Sequence, residues 1–219
     1  MKLSKTDFFW PSFADLMTSL FFVMLALFAI TFYKQQKIIK DLEEKLVIVN
    51  AVKENLKPLK NDTHLFKYQE KYKRFILAFD VKFEKDKSDL FEDYDLESPY
   101  KTRDQIRKAG RALKKVVLQL KKEKSTNEKL KDVSYIIVMS GYASNDSTGM
   151  DHNYELSYKR AHSLWKYWKS EGIDFEDASF DGLIDLQIAG NGWGGIGREK
   201  VEENNQRFII QIFPKISQF

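Results

Sequence analysis

The chain has 219 residues, 36 Lys and Arg against 32 Asp and Glu, and no cysteine. That length leaves room for one membrane segment and one modest domain, since a typical domain takes about 100 to 150 residues. The missing cysteines exclude disulfides, a thiolate zinc site and a lipidated cysteine, so any exported part is held by packing alone.

The first predicted element is the 20-residue apolar run Phe13 to Phe32, FADLMTSLFFVMLALFAITF. As a helix it spans about 30 Å, the thickness of a bilayer's hydrocarbon core. It stays apolar too long for a cleavable signal peptide, and no small-x-small site follows it, so an uncleaved single anchor is expected. We place residues 1–10 before the membrane and 11–33 across it. Phe8, Phe9 and Trp10 at one end, with Phe32 and Tyr33 at the other, put aromatic rings at both interfaces. Pro11 is tolerated in a first helical turn, where its missing N–H has no intrahelical partner anyway. Lys2 and Lys5 precede the span while Lys34, Lys37 and Lys40 follow it, so lysine counting leaves the orientation open.

Asp15 sits about one turn inside this helix, and an acid within a membrane segment is a functional-site hypothesis by default. Thr18 and Ser19 follow it at i+3 and i+4, so one stripe of the helix is polar and must face protein or water. Moving one charge through 100 mV supplies about 2.3 kcal/mol. An acid that alternately binds and releases a cation can therefore be driven by the membrane potential. One helix makes no shielded path, so a partner membrane subunit is implied. The alternative is that Asp15 caps the helix at the interface, satisfied by water and the helix dipole.

Residues 34–64 read as a helical linker in which Ile39, Leu42, Leu46, Val49 and Leu56 recur at 3-4-3-7 spacing, interrupted by Lys53. Such a seam suits a parallel helix pair, which would make the protein a homodimer. An amphipathic helix lying on its own domain is the other reading. Pro58 and the polar LKNDTH end the element, and the boundary is expected near residue 65.

Residues 65–219 then alternate between strand and helix patterns. Phe75, Leu77, Phe79, Val81 and Phe83 occupy every second position, which predicts a half-buried strand. Ile106, Ala109, Leu113, Val117 and Leu120 step at helical spacing, with basic residues on the other face. VSYIIVM, residues 133–139, is a continuous apolar strand. A helix over about 153–169 carries Leu164, Trp165 and Trp168, and strands follow at 186–189 and 207–213. The order β-α-β-α-β-β predicts an α+β sandwich with helices on one sheet face.

Several weaker patterns carry no chemistry. Gly190, Gly192 and Gly195 satisfy G-x-G-x-x-G, but no apolar helical period follows, so the segment reads as a turn. His64, His152 and His162 lack metal-ligand spacing. The lysine-rich helix 103–122 reads as a solvated face or one attracted to anionic wall polymers. No nucleophile, base and acid set is visible, so an enzyme is not expected, nor is a cofactor.

Two segments resemble known families. WPSFADLMTSLFFVM is similar to the transmembrane segment of the MotB family, the B subunits of flagellar stators, over about fifteen residues. The resemblance implies Asp15 as the acceptor of a translocated proton or sodium ion, with Thr18 beside it. It also implies a polytopic MotA-like or ZorA-like partner in a five-to-two complex. GYASNDSTGMDHNYELSYKRA, residues 141–161, resembles the OmpA-like peptidoglycan-binding motif: a strand ending in Gly, an Asp loop, then Asn-x-x-Leu-Ser-x-x-Arg-Ala opening a helix. Asn153, Leu156, Ser157, Arg160 and Ala161 stand in register, and Asn153, Leu156 and Arg160 share a helix face.

In that family the Arg and the loop Asp grip the carboxylate and amine of diaminopimelate in the wall peptide, a pairing that suits a guanidinium fork and an acid. The loop departs from the pattern: His-Thr-Asp appears as Tyr142, Ala143 and Ser144, and Asp146 arrives two residues late. Asp146 aligns with the family acid because Gly149 follows at the right spacing, while Asn145 is a possible substitute. NNQRFIIQIF resembles the Asn-Arg-Arg-Val strand that ends the domain, retaining Arg207 with Gln206 in place of the first arginine. Taken together, the compact length and FFWPSFADLMTSLFFVMLALF are most similar to the ZorB components of Zorya anti-phage systems. The implied placement is the bacterial inner membrane, N-terminus cytoplasmic and OmpA-like domain periplasmic. A flagellar stator B subunit and a non-conducting membrane-to-wall tether are the alternatives.

Overall fold

The computed structural model describes residues 9–145, 149–193 and 197–216, and the chain divides into two compact units, Met1–Val47 and Ile48–Phe219. Among the described residues, the first is helical throughout. Helix α1 (Phe9–Asn55) contains a stretch long and apolar enough to cross a membrane, and none of that stretch is buried against protein. Its large apolar side chains from Trp10 to Tyr33 are exposed. The Thr18 and Thr31 hydroxyls donate to the carbonyls of Ala14 and Leu27 at 2.7 Å, which satisfies each O–H within the helix itself.

The second unit starts with the last two turns of α1. Ile48, Val52 and Leu56, together with Leu59 of the short helix α2 (Lys57–Asn61), are buried in the main core. Exposed Ile39, Leu42 and Leu46 belong to the first unit.

The domain's sheet has five strands, β1 (Phe66–Gln69), β2 (Arg74–Leu77), β3 (Val133–Gly141), β4 (Ile184–Gly190) and β5 (Phe208–Ile216), in the order β1-β2-β5-β3-β4. Strands β3 and β4 are parallel and joined through helix α4 (Met150–Ser170). The other pairs are antiparallel. Helix α3 (Pro99–Thr126) opens with a proline, whose fixed φ suits the first turn. It buries Ile106, Ala109, Leu113, Val116, Val117 and Leu120 against the face of β3 that carries Val133, Tyr135, Ile137 and Met139. Leu164, Tyr167 and Trp168 of α4 fill the same core, so both helices cover one side of the sheet. The α+β architecture matches the expectation, with an additional first strand.

That strand changes the reading of residues 75–83. The predicted half-buried strand is a fully buried four-residue β2, hairpinned to β1 through Glu70–Tyr72. Val81 and Phe83 stay in the core, but Phe83 makes only an isolated bridge to Leu96. Alternation there reports burial by loop and helix, not a ladder.

Tyr135 gives a test of this core. Its ring is fully buried, and its hydroxyl finds no hydrogen-bond partner among the described residues. Burial, with the Glu123 charge second, pushes the phenol up to about 12. The folded chain therefore holds the proton after the unfolded chain, near pH 10, has released it. Stability is complete below pH 10 and is lost as pH rises towards 12, about 1–2 kcal/mol of it by pH 11. Tyr135→Phe removes the group, so its urea midpoint at pH 8 should equal or exceed that of the parent, and its loss between pH 8 and 11 should be smaller. Equal losses in the two proteins would refute the assignment.

Candidate functional site

The site forms where β3 ends and α4 begins. Gly141 and Gly190 are directly paired at the ends of β3 and β4. A Cβ on Gly141 would lie 2.1 Å from the Ser157 carbonyl oxygen, and one on Gly190 would lie 2.6 Å from the Tyr158 nitrogen. Two adjacent glycines thus let the backbone of α4 rest directly on the sheet. The Ser157 hydroxyl completes this seat, donating to the Tyr154 carbonyl and accepting from the Gly192 N–H, both at 2.8 Å.

Seated in this way, α4 turns Asn153, Leu156 and Arg160 inward, and all three are buried. The Asn153 amide donates to the Gly149 carbonyl at 2.9 Å, tying the first turn of the helix to its own entry loop. Arg160 is 2% exposed. Its Nε donates to the Lys87 carbonyl at 3.0 Å, its Nη1 donates to the Tyr142 carbonyl at 3.4 Å, and its guanidinium lies 4.6 Å from the centre of the Phe83 ring. Two loops distant in sequence therefore hold one planar cation in a fixed orientation, the requirement for bidentate recognition of a carboxylate.

The loop before α4 is only partly described. Ala143 N–H donates to the Gly192 carbonyl at 2.9 Å and Asn145 N–H donates to a Glu202 carboxylate oxygen at 2.8 Å. Asp146 lies outside the described residues. A neighbouring acid is Asp86, whose carboxylate meets His152 Nε2 at 2.9 Å beside the first turn of α4.

Arg207 reaches the same pole from the other face of the sheet. Its carbonyl accepts from Tyr142 N–H at 3.1 Å, and its guanidinium sits 5.7 Å from the centre of the Tyr142 ring. That ring packs with Ile76 and Ile209 on the face away from the helices, and its hydroxyl accepts from Arg74 Nη1 at 3.3 Å. Tyr142 is thus contacted by Arg160 at its backbone and by Arg207 and Arg74 at its side chain. Burial, then the nearby Arg74 charge, lowers the Arg207 guanidinium below its usual range, and Glu199 at 3.5 Å opposes this. Arg207 also lines an open cleft with Lys82, Glu199 and Gln206. Phe83, Lys87 and Tyr142 carry no signal of their own for this role in the sequence, because all three meet Arg160 through backbone carbonyls or a ring face, which a residue pattern leaves unmarked.

Asp15 and Thr18 lie in the first unit, one turn apart on α1. The Thr18 O–H is donated to the Ala14 carbonyl, so its Oγ1 keeps only acceptor capacity for a further partner.

No protein-family model matches the chain, and no curated protein matches it. Among solved structures it is similar to the periplasmic domain of Helicobacter pylori MotB, at 15% identity over 67% of this chain and 86% of that one, with a TM-score of 0.40. It is also similar to the OmpA-like domain of FopA1 from Francisella tularensis, at 21% identity over 69% and 79% of the two chains and a TM-score of 0.37. A third is the peptidoglycan-associated lipoprotein of Burkholderia pseudomallei, at 14% identity, 62% and 88% coverage and a TM-score of 0.31.

Proposed function

We propose that the chain is the B subunit of an ion-driven membrane motor, anchored in the inner membrane by α1 and to peptidoglycan by its C-terminal domain. The observation that carries this reading is the presence in one chain of an exposed apolar helix bearing Asp15 and Thr18 and of a domain that orients Arg160 by loop carbonyls. In this reading two copies pair across the membrane exit and a polytopic MotA-like or ZorA-like subunit surrounds them. Asp15 takes up and releases a proton, and the domain holds the complex still against the wall.

Arg160 would receive the free carboxylate of the diaminopimelate peptide. Asn153 and Leu156 shape the helix turn behind it, Asp146 would take the ammonium, and Arg207 stiffens the far side of Tyr142. The motif FFWPSFADLMTSLFFVMLALF favours the Zorya type of machine, in which turnover at Asp15 reports envelope perturbation during phage infection.

Asp15→Asn keeps the side chain's shape and removes its titration, so in the intact operon it should abolish protection against phage while leaving the chain in the membrane fraction. Plaque counts equal to the parent's would leave a non-conducting tether as the function. Restoration of swimming in a strain lacking its own stator would instead assign the chain to a flagellum.

A further inference from the structure

The domain has two poles. The chain enters it at Ile48–Asn55, and the Asn55 amide bonds to Glu123 near the end of α3. Lys124 of the same turn donates to the carbonyl of Val133, the first residue of β3, at 2.8 Å. The Arg160 site lies at the other end of β3, beside Gly141 and Tyr142. Nine extended residues separate these ends by about 26 Å.

The entry pole is strongly basic. Helix α3 carries ten Lys and Arg against two acids, Asp104 and Glu123. Asp104 pairs with Arg107 and Lys108, and Glu123 is engaged by Asn55. On the outer face of α3, Arg111, which also lies 3.9 Å from a Glu171 carboxylate oxygen, is followed at helical spacing by Lys115, Leu118 and Lys122, with Lys121 alongside. Lys115, Lys121 and Lys122 are exposed and enter no ion pair with an acid among the described residues. Leu118, 48% exposed, is an apolar side chain in the middle of this cationic face.

We propose that this face of α3 docks on anionic phospholipid headgroups of the membrane that holds the chain. The inference rests on the anchor reading given above. Residues 34–47, about 21 Å long as a helix, join the domain covalently to the proposed membrane segment, which makes an encounter with the bilayer effectively intramolecular. Lysines are attracted to an anionic leaflet within a Debye length, and a leucine among them can enter the headgroup boundary. The Arg160 site, at the other end of β3, lies outside this face, so docking does not occupy it.

The test uses the absence of cysteine. Full-length chain carrying Leu118→Cys, labelled with an environment-sensitive fluorophore, is reconstituted in nanodiscs of phosphatidylcholine with or without phosphatidylglycerol. The expected result is blue-shifted, several-fold brighter emission in the anionic discs. Raising the salt from about 0.15 to about 1 M should reverse it, because the Debye length falls from about 8 to about 3 Å. The change should also vanish in K115E/K121E/K122E, which should still sediment with purified peptidoglycan.

Equal emission in both lipids overturns the proposal while leaving the wall reading untouched. A response to added DNA without one to anionic lipid also overturns it, in favour of a nucleic-acid surface. A chain that fails to co-migrate with the discs overturns the anchor reading and the proposal together, whatever the wall assay gives.

Discussion

Gly141→Ala is expected to lower the domain's stability by about 3 kcal/mol, the upper end of the range for overpacking a filled site. The added methyl would lie 2.1 Å from the Ser157 carbonyl oxygen and 3.1 Å from the Ala161 nitrogen, both backbone atoms of α4. A flexible side chain could turn aside, but a helix backbone moves only as a whole. Relief therefore lifts α4 from β3 and loosens the buried neighbours Leu164 and Trp168, which share the core under it. For a domain of this size the change corresponds to a fall in Tm of about 6–12 °C. Because α4 carries Arg160, the same displacement should weaken wall binding even where the domain stays folded. Gly190→Ala should act in the same direction, since its methyl would meet α4 backbone at 2.6 and 2.7 Å. A melting temperature within a degree of the parent's would show that α4 is not seated as described.

Much of this arrangement is legible in the sequence, for identifiable reasons. VSYIIVM reads as a central strand because it is apolar on both faces, and in the structure β3 lies between β5 and β4. Asn153, Leu156 and Arg160 read as one face because helical spacing alone fixes it, and all three point inward. The first strand is less visible, because Phe66–Gln69 alternates with only one fully buried residue and borrows its order from pairing with β2.

The linker shows a different limit. The predicted stripe Ile39, Leu42, Leu46, Val49 and Leu56 shares Leu56 with a second one, Ile48, Val52, Leu56 and Leu59. Periodicity states that both stripes need cover, not what covers each. The second is covered by the domain's own core. Likewise Lys87 and Tyr142 offer backbone carbonyls to Arg160, and a carbonyl has no residue type to read. Asp146, aligned by spacing to Gly149, falls outside the described residues.

Arg160→Ala is expected to reduce binding to purified peptidoglycan by roughly 30-fold or more, since truncating one partner of a buried charged pair costs about 2–5 kcal/mol. The substitution also removes a cation that two loop carbonyls and the Phe83 ring enclose. A purely structural role would therefore appear as unfolding, and the circular dichroism melt separates that from lost recognition. Arg160→Lys keeps the charge and most of the stem but not the planar fork, so it should fold like the parent and still bind poorly.

The most direct measurement is a titration of the full-length chain with a soluble diaminopimelate-containing wall peptide, comparing the parent with Arg160→Lys at matched folded fraction. Saturable binding by the parent, weakened at least tenfold in the lysine variant, is the expected result. No binding by the parent, or equal affinity in the two proteins, would contradict the assignment of this pole to the cell wall.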